Sequence, residues 1–215
     1  MQWQTKLPLI AILRGITPAD CVEQVACLRD HGLTTVEITT NSPEWITSLR
    51  RMREAFGDAV TVGAGTVLTP EHVAASAAAG ARFILTPNLD PRVIHAAKRH
   101  DLRVCAGVMT PSEIFSACEA GADVLKIFPA SVMPQNYPQM IKGPLSAPVR
   151  FSAVGGVDIN NAADYLRYYD SVGIGSALYR PGQSVAITAA RCALLLARRE
   201  RGPADFTCGR DQEMA

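Results

Sequence analysis

Phe83-Ile84-Leu85-Thr86-Pro87-Asn88-Leu89-Asp90-Pro91 is the stretch that decides the fold. A continuous apolar run, Phe83–Thr86, is followed within a few residues by an Asp-Pro dipeptide that opens a helical pattern. The Asp can accept from the orphan N–H groups of the first helical turn. Pro at the first helical position loses nothing by lacking a donor of its own.

The same Ser/Thr/Asp-Pro signal recurs at Thr17-Pro18, Ser42-Pro43, Thr69-Pro70 and Thr110-Pro111. Thr17 with Asp20 and Thr110 with Glu113 have capping-box spacing. Helical patterns stop at Gly32, Gly57, Gly80 and Gly121, as a left-handed helix terminus favours. Between the helices lie further apolar runs: Leu9–Leu13, Thr35–Ile38, Val60–Ala64, Leu102–Ala106, Val124–Phe128, Phe151–Val154 and Ser171–Ile174. They are continuous rather than alternating, as parallel strands covered on both faces require. With Phe83–Thr86 they make eight strand–helix units in 215 residues. Eight such units predict a single-domain α/β protein, a (β/α)8 TIM barrel spanning residues 1–200, with a loose tail over residues 201–215. An open doubly wound sheet is the alternative, but no G-x-G-x-x-G follows the first strand.

The bulk composition excludes several classes. The chain is 48% hydrophobic and 19% charged, an ordinary globular balance. Its 21 Lys and Arg nearly cancel its 20 Asp and Glu, and the short run Arg198-Arg199-Glu200-Arg201 ends a helical pattern where cations are favoured. No nucleic-acid partner is expected. No apolar stretch approaches the roughly 18 residues of a membrane span, and Val185–Ala197 is interrupted by Thr188 and Arg191. The apolar stretch near the N-terminus, ended by Arg14, is too short for a signal peptide. The six Cys form no C-x-x-C pair and sit among small apolar neighbours. A cytoplasmic location with reduced thiols is expected.

In such barrels the chemistry lies at the carboxyl ends of the strands. Those ends carry Arg14, Glu37, Thr66, Pro87-Asn88, Gly107, Lys126, Gly155-Gly156 and Gly175-Ser176. Lys126 stands in Val124-Leu125-Lys126-Ile127-Phe128-Pro129, and alternation turns it away from Leu125 and Ile127, into the barrel. Lys is rarely buried without a partner, and burial depresses its pKa; a shift of roughly 3 units corresponds to about 4 kcal/mol. A neutral amine can attack a ketone and form an iminium that serves as an electron sink. Glu37 can move protons for that chemistry, and a structural ion pair between Glu37 and Lys126 is the alternative reading. The four His (His31, His72, His95, His100) lie on helical segments with no metal-site spacing, so no metal is expected. Gly155-Gly156 and Gly175-Ser176 end strands seven and eight, the usual phosphate site of barrels. Arg14 can meet a carboxylate or phosphate, or form a rim ion pair. Thr66 can donate a hydroxyl hydrogen bond, or simply shape a turn.

These residues stand in motifs that resemble the 2-keto-3-deoxy-6-phosphogluconate/6-phosphogalactonate aldolase family over about residues 5–198. The matching motifs are Ile12-Leu13-Arg14-Gly15-Ile16, Val36-Glu37-Ile38, Gly63-Ala64-Gly65-Thr66-Val67, Thr86-Pro87-Asn88, Lys126-Ile127-Phe128-Pro129, Gly155-Gly156-Val157 and Gly173-Ile174-Gly175-Ser176. The resemblance implies a metal-independent, cofactor-free class I aldolase, a homotrimer that reversibly cleaves a phosphorylated keto-deoxy sugar acid to pyruvate and glyceraldehyde 3-phosphate. It implies Lys126 as the Schiff-base lysine and Glu37 as the proton-transferring acid. Arg14, Thr66, Pro87, Phe128, Val154, Gly155, Gly156, Gly175 and Ser176 then form the substrate-binding set.

Two departures bear on the epimer. The gluconate-type enzymes look like they carry an Arg shortly after the glutamate and a Thr before the glycine pair. Here those places read Thr39-Thr40-Asn41-Ser42-Pro43 and Ala153-Val154-Gly155-Gly156, similar to the galactonate-specific branch. A site that loses a hydrogen-bonding partner changes its discrimination, so the galactonate epimer is the expected substrate. Competing expectations are the gluconate epimer, a phosphosugar epimerase with Glu37 as base, and a non-catalytic phosphosugar-binding barrel.

Overall fold

The structure is a computed structural model that describes residues 8–145 and 148–200. The strands are β1 (Leu9–Leu13), β2 (Thr35–Thr39), β3 (Thr61–Gly65), β4 (Phe83–Leu85), β5 (Arg103–Val108), β6 (Val124–Ile127), β7 (Phe151–Val154) and β8 (Ser171–Ile174). The helices are α1 (Cys21–Asp30), α2 (Trp45–Phe56), α3 (Pro70–Ala78), α4 (Pro91–Arg99), α5 (Pro111–Glu119), α6 (Tyr137–Ile141), α7 (Ala162–Tyr165) and α8 (Val185–Glu200). The strands pair in sequence order, all parallel, and β8 returns to β1, closing the barrel. The fold is a single-domain (β/α)8 barrel, as the eight repeated units predict. The expected tail at 201–215 lies outside the described residues.

Local chemistry explains most of the boundaries. Thr69, Asp90 and Thr110 cap α3, α4 and α5 with their side chains, each followed by Pro at the first helical position. Thr110 and Glu113 complete a capping box. Gly32, Gly57, Gly80 and Gly121 all have positive φ where helices end. The other two Ser/Thr-Pro signals behave differently. Thr17 bonds to Asp20 in a turn and α1 begins only at Cys21. Ser42 spends its hydroxyl on the neighbouring loop, so α2 begins at Trp45 after a left-handed Glu44. Strand ends also move by a residue or two: Thr86 and Phe128 lie just past β4 and β6, and β5 runs on to Val108.

The strands bury both faces. Ala11, Leu13, Val36, Ile38, Leu125 and Ile127 pack outward with the helices in one large apolar cluster. The inward residues form two smaller clusters, Phe83 with Leu85, Cys105 and Val124, and Ile10 with Ile12 and Val154. Gly63 leaves room for the Phe83 ring, because a methyl there would overlap it. Lys126 and Glu37 belong to the same inward face yet are polar, and both are almost wholly buried. Nothing in barrel packing calls for an amine and a carboxyl at those places.

Candidate active site

Parallel register brings the inward residues of successive strands to matching heights. Ile12 pairs with Glu37 and Glu37 with Gly63, while Gly107 pairs with Lys126 and Lys126 with Ser152. Desolvation lowers the pKa of Lys126, Glu37 opposes that shift, and the positive Arg14 adds to it. Desolvation drives the Glu37 carboxyl up to about 7 against the pull of Lys126 and Arg14. Burial thus favours the neutral form of each. Among the described residues no direct ion pair joins them, and Glu37 Oε2 has no hydrogen-bond partner. The structural salt bridge of the alternative reading is therefore not what the fold builds. Lys126 Nζ lies 4.8 Å from the centroid of the Phe128 ring, which brings that aromatic to the amine.

Room for the carboxyl comes from β3. A methyl group built on Gly65 would overlap the Glu37 side chain. Gly65→Ala is expected to fold, to lose about 1–3 kcal/mol of stability to overpacking, and to lose activity through a displaced Glu37. Denaturant melts and steady-state rates check this; an alanine variant with unchanged turnover would show that Glu37 need not stay where it is. Gly107 serves a similar purpose on β5, since a side chain there would overlap the Pro87-Asn88 backbone. Thr86 Oγ1 donates to Asn88 O at 2.6 Å and accepts from Gly107 N at 2.9 Å, which holds Pro87 above the residue that pairs with Lys126.

At the mouth, Arg14 follows β1 and donates from Nη1 to Asn41 Oδ1 at 2.8 Å and from Nη2 to Thr66 Oγ1 at 3.4 Å. Thr66 has φ +57°, a conformation that costs a β-branched residue about 1–2 kcal/mol. Its carbonyl accepts from Thr40 Oγ1 at 2.7 Å. The rim ion pair considered for Arg14 does not form among the described residues.

Beside Arg14 opens a cavity of about 630 Å³ on the β1, β7 and β8 side of the mouth. Val154, Gly155, Gly156, Gly175 and Ser176 line it. Gly155 and Gly156 have φ of +89° and +80°, open only to glycine without strain. The following turn is braced by Asp158 Oδ1, which accepts from Asn160 N and Asn161 N, and by Asn161 Nδ2, which donates to Gly156 O. Backbone N–H groups in such loops suit a phosphate. Arg180, Tyr179 and Asp158 also line the cavity, and composition or strand-end reading alone does not single them out. Arg180 stands four residues after Ser176 and donates to its carbonyl; a cation so close behind a glycine-bearing strand end is the signal that could have flagged it. Lys126, Glu37, Thr66, Pro87 and Phe128 are not on the cavity wall. Arg14 links the two regions, because its charge reaches both Lys126 and Glu37.

A second cavity, about 240 Å³, lies at the opposite pole of the barrel between Pro8, Ile10, Cys105, Val124, Arg150 and Asp170. Burial pushes its Cys105 thiol up to about 12, so it offers no thiolate nucleophile. Among the described residues no group of three His, Cys, Asp or Glu converges as a metal site would, and no helix is long and apolar enough to cross a membrane.

The sequence profile of the KDPG and KHG aldolase family matches residues 2–187. The 2-dehydro-3-deoxy-6-phosphogalactonate aldolase of Escherichia coli (strain K12) is 47% identical over 194 residues, covering 90% of this chain and 95% of that protein. The solved structure of native KDPGal superposes with a TM-score of 0.88 at 45% identity, covering 94% of this chain and 98% of that one. The KDPG aldolase from Legionella pneumophila, solved with pyruvate captured as a covalent carbinolamine intermediate, has a TM-score of 0.76 at 26% identity, covering 93% of this chain and 96% of that one.

Proposed function

The chain belongs to the KDPG and KHG aldolase family, and from that premise we propose a Schiff-base reaction in which Lys126 is the covalent residue. The enzyme is a carbon–carbon lyase. It reversibly cleaves 2-dehydro-3-deoxy-6-phosphogalactonate to pyruvate and glyceraldehyde 3-phosphate. The single observation that carries the reading is a buried amine, held towards neutrality by desolvation, sharing the barrel with a carboxyl raised to about 7.

The substrate phosphate lies against the Gly155-Gly156 and Gly175-Ser176 loops, and its carboxylate meets Arg14 and Thr66. Lys126 Nζ attacks the C2 carbonyl to form a carbinolamine. Glu37 passes a proton to the departing hydroxyl, and loss of water leaves the iminium. Deprotonation of the C4 hydroxyl breaks the C3–C4 bond, and the electron pair enters the iminium as an enamine. Glyceraldehyde 3-phosphate leaves, C3 takes up a proton, and addition of water to the iminium releases pyruvate and the free amine. The iminium is the electron sink, so the scheme draws on no metal or organic cofactor. Phe128 covers the amine and Pro87 closes the β4 side. Val154, buried among Ile10 and Ile12, gives the cavity wall an apolar face next to the glycine pair. That face offers no side-chain hydrogen bond to a sugar hydroxyl, and the galactonate preference rests on it.

Assembly as a homotrimer in the cytoplasm belongs to the same reading; Leu68, Val132 and Met140 are exposed apolar side chains that contacts between copies would cover. The test is to incubate the protein with pyruvate and borohydride and to map the adduct. A reduced pyruvyl group on the peptide containing Lys126 is the expected result, and an unmodified Lys126 sinks the covalent scheme. A lyase assay with both epimers side by side, coupled to pyruvate reduction, should favour the galactonate form; an epimerase would release no pyruvate.

A further inference from the structure

The turn between β2 and α2 has its polar groups committed one by one. Thr39 Oγ1 and Ser42 Oγ lie 3.0 Å apart, Ser42 N donates to Thr39 O at 2.9 Å, and Gly15 N donates to Ser42 Oγ at 2.8 Å. Thr40 N donates to Gly65 O at 2.8 Å, and Thr40 Oγ1 donates to Thr66 O. The turn is thereby stapled to the loops after β1 and β3, which carry Arg14 and Thr66. Asn41 is the exception: its side chain bonds neither loop backbone and is spent on the Arg14 guanidinium. A guanidinium only donates, so the amide must present its oxygen. The two side chains that hold Arg14, Asn41 and Thr66, are both uncharged. A carboxylate in place of Asn41 would hold the guanidinium more tightly but would cancel its charge.

We propose that Asn41 is a positioning residue that aims Arg14 at the carboxylate of the 2-keto acid while leaving the cation uncompensated. This rests on the assignment of Arg14 to that carboxylate made above. Asn41 thus sets how strongly the site takes an anionic keto acid, although it need not touch the acid itself. The amide oxygen fixes the direction of the guanidinium, and the neutrality of the amide preserves its attraction.

The experiment compares Asn41→Asp, Asn41→Ala and Arg14→Met with the parent enzyme in steady-state cleavage of the phosphorylated keto acid. Asn41 and Arg14 are both exposed, so all three variants should fold, which thermal melts check. Asn41→Asp keeps an acceptor in place and is expected to raise KM about tenfold with kcat nearly unchanged, the signature of lost uniform binding. Asn41→Ala should also raise KM, because the guanidinium is no longer aimed. If Asn41 merely braced the turn, Asp would restore the parental KM and Ala would not; that pattern overturns the proposal. A normal KM in Asn41→Asp alongside a raised KM in Arg14→Met likewise rejects the role of Asn41 alone. A normal KM in Arg14→Met removes the assignment of Arg14 to the carboxylate and the proposal with it.

Discussion

Replacing Lys126 by Met is expected to cut turnover by a factor on the order of 10⁴ or more, because the covalent route vanishes and only binding and polar stabilisation remain. The variant should fold and gain stability. Met keeps the apolar stem of the side chain but removes an amine that the barrel desolvates with no ion-pair partner among the described residues. Borohydride with pyruvate should then leave the protein mass unchanged. Retention of even a hundredth of parental turnover in Lys126→Met would end the Schiff-base assignment.

Glu37→Gln carries the second large effect, a fall of about 10²–10⁴-fold in turnover as proton transfer is lost. Its pH dependence supplies the sharper reading. Burial moves the carboxyl from 4.5 to about 7, so kcat/KM of the parent should fall through a basic limb near 7 as Glu37 loses the proton it passes to the departing hydroxyl. An ordinary carboxylate would place that limb near 4.5. In Glu37→Gln the limb should disappear; a limb that persists belongs to another group, and Glu37 loses its role.

The same shift predicts a stability effect of definite sign. Between about 4.5 and 7 the folded protein holds a proton on Glu37 that the unfolded chain has released. Stability therefore falls as pH rises through that window, by about 3 kcal/mol for a shift of this size. Glu37→Gln should be more stable than the parent at pH 8 and no more stable near pH 4. Denaturant midpoints at the two pH values decide the matter. A raised carboxyl kept at such a cost is consistent with a group retained for chemistry rather than for packing.

Legibility differed between levels of structure. The eight apolar runs separated by cap-Pro and Gly signals were readable because capping, proline geometry and left-handed termini act within a few residues. Where a cap residue has a long-range partner, the local rule failed: Ser42 accepts from Gly15, so it is not available to start α2. The inward, buried placement of Lys126 was readable because alternation alone turns it away from two outward apolar neighbours. The cavity beside Val154 and Gly156, with Arg180 on its wall, was only partly readable. The glycines announce a close approach, whereas nothing within one strand announces a cation brought in by the loop that follows it.

The residue order by itself determined that this chain makes eight parallel strands with covering helices, and that an amine and a carboxyl occupy inward strand positions. Both follow from short-range geometry, the two-residue period of a strand and the donors left over at a helix start. Barrel closure decided the rest. Pairing β8 with β1 brings Arg14 beside the glycines of β7 and β8. The pairing of β2 with β3 clears Gly65 for the Glu37 carboxyl. Removing water from the interior shifts both groups towards their neutral forms, since desolvation is a property of everything that surrounds an atom and no single segment carries it.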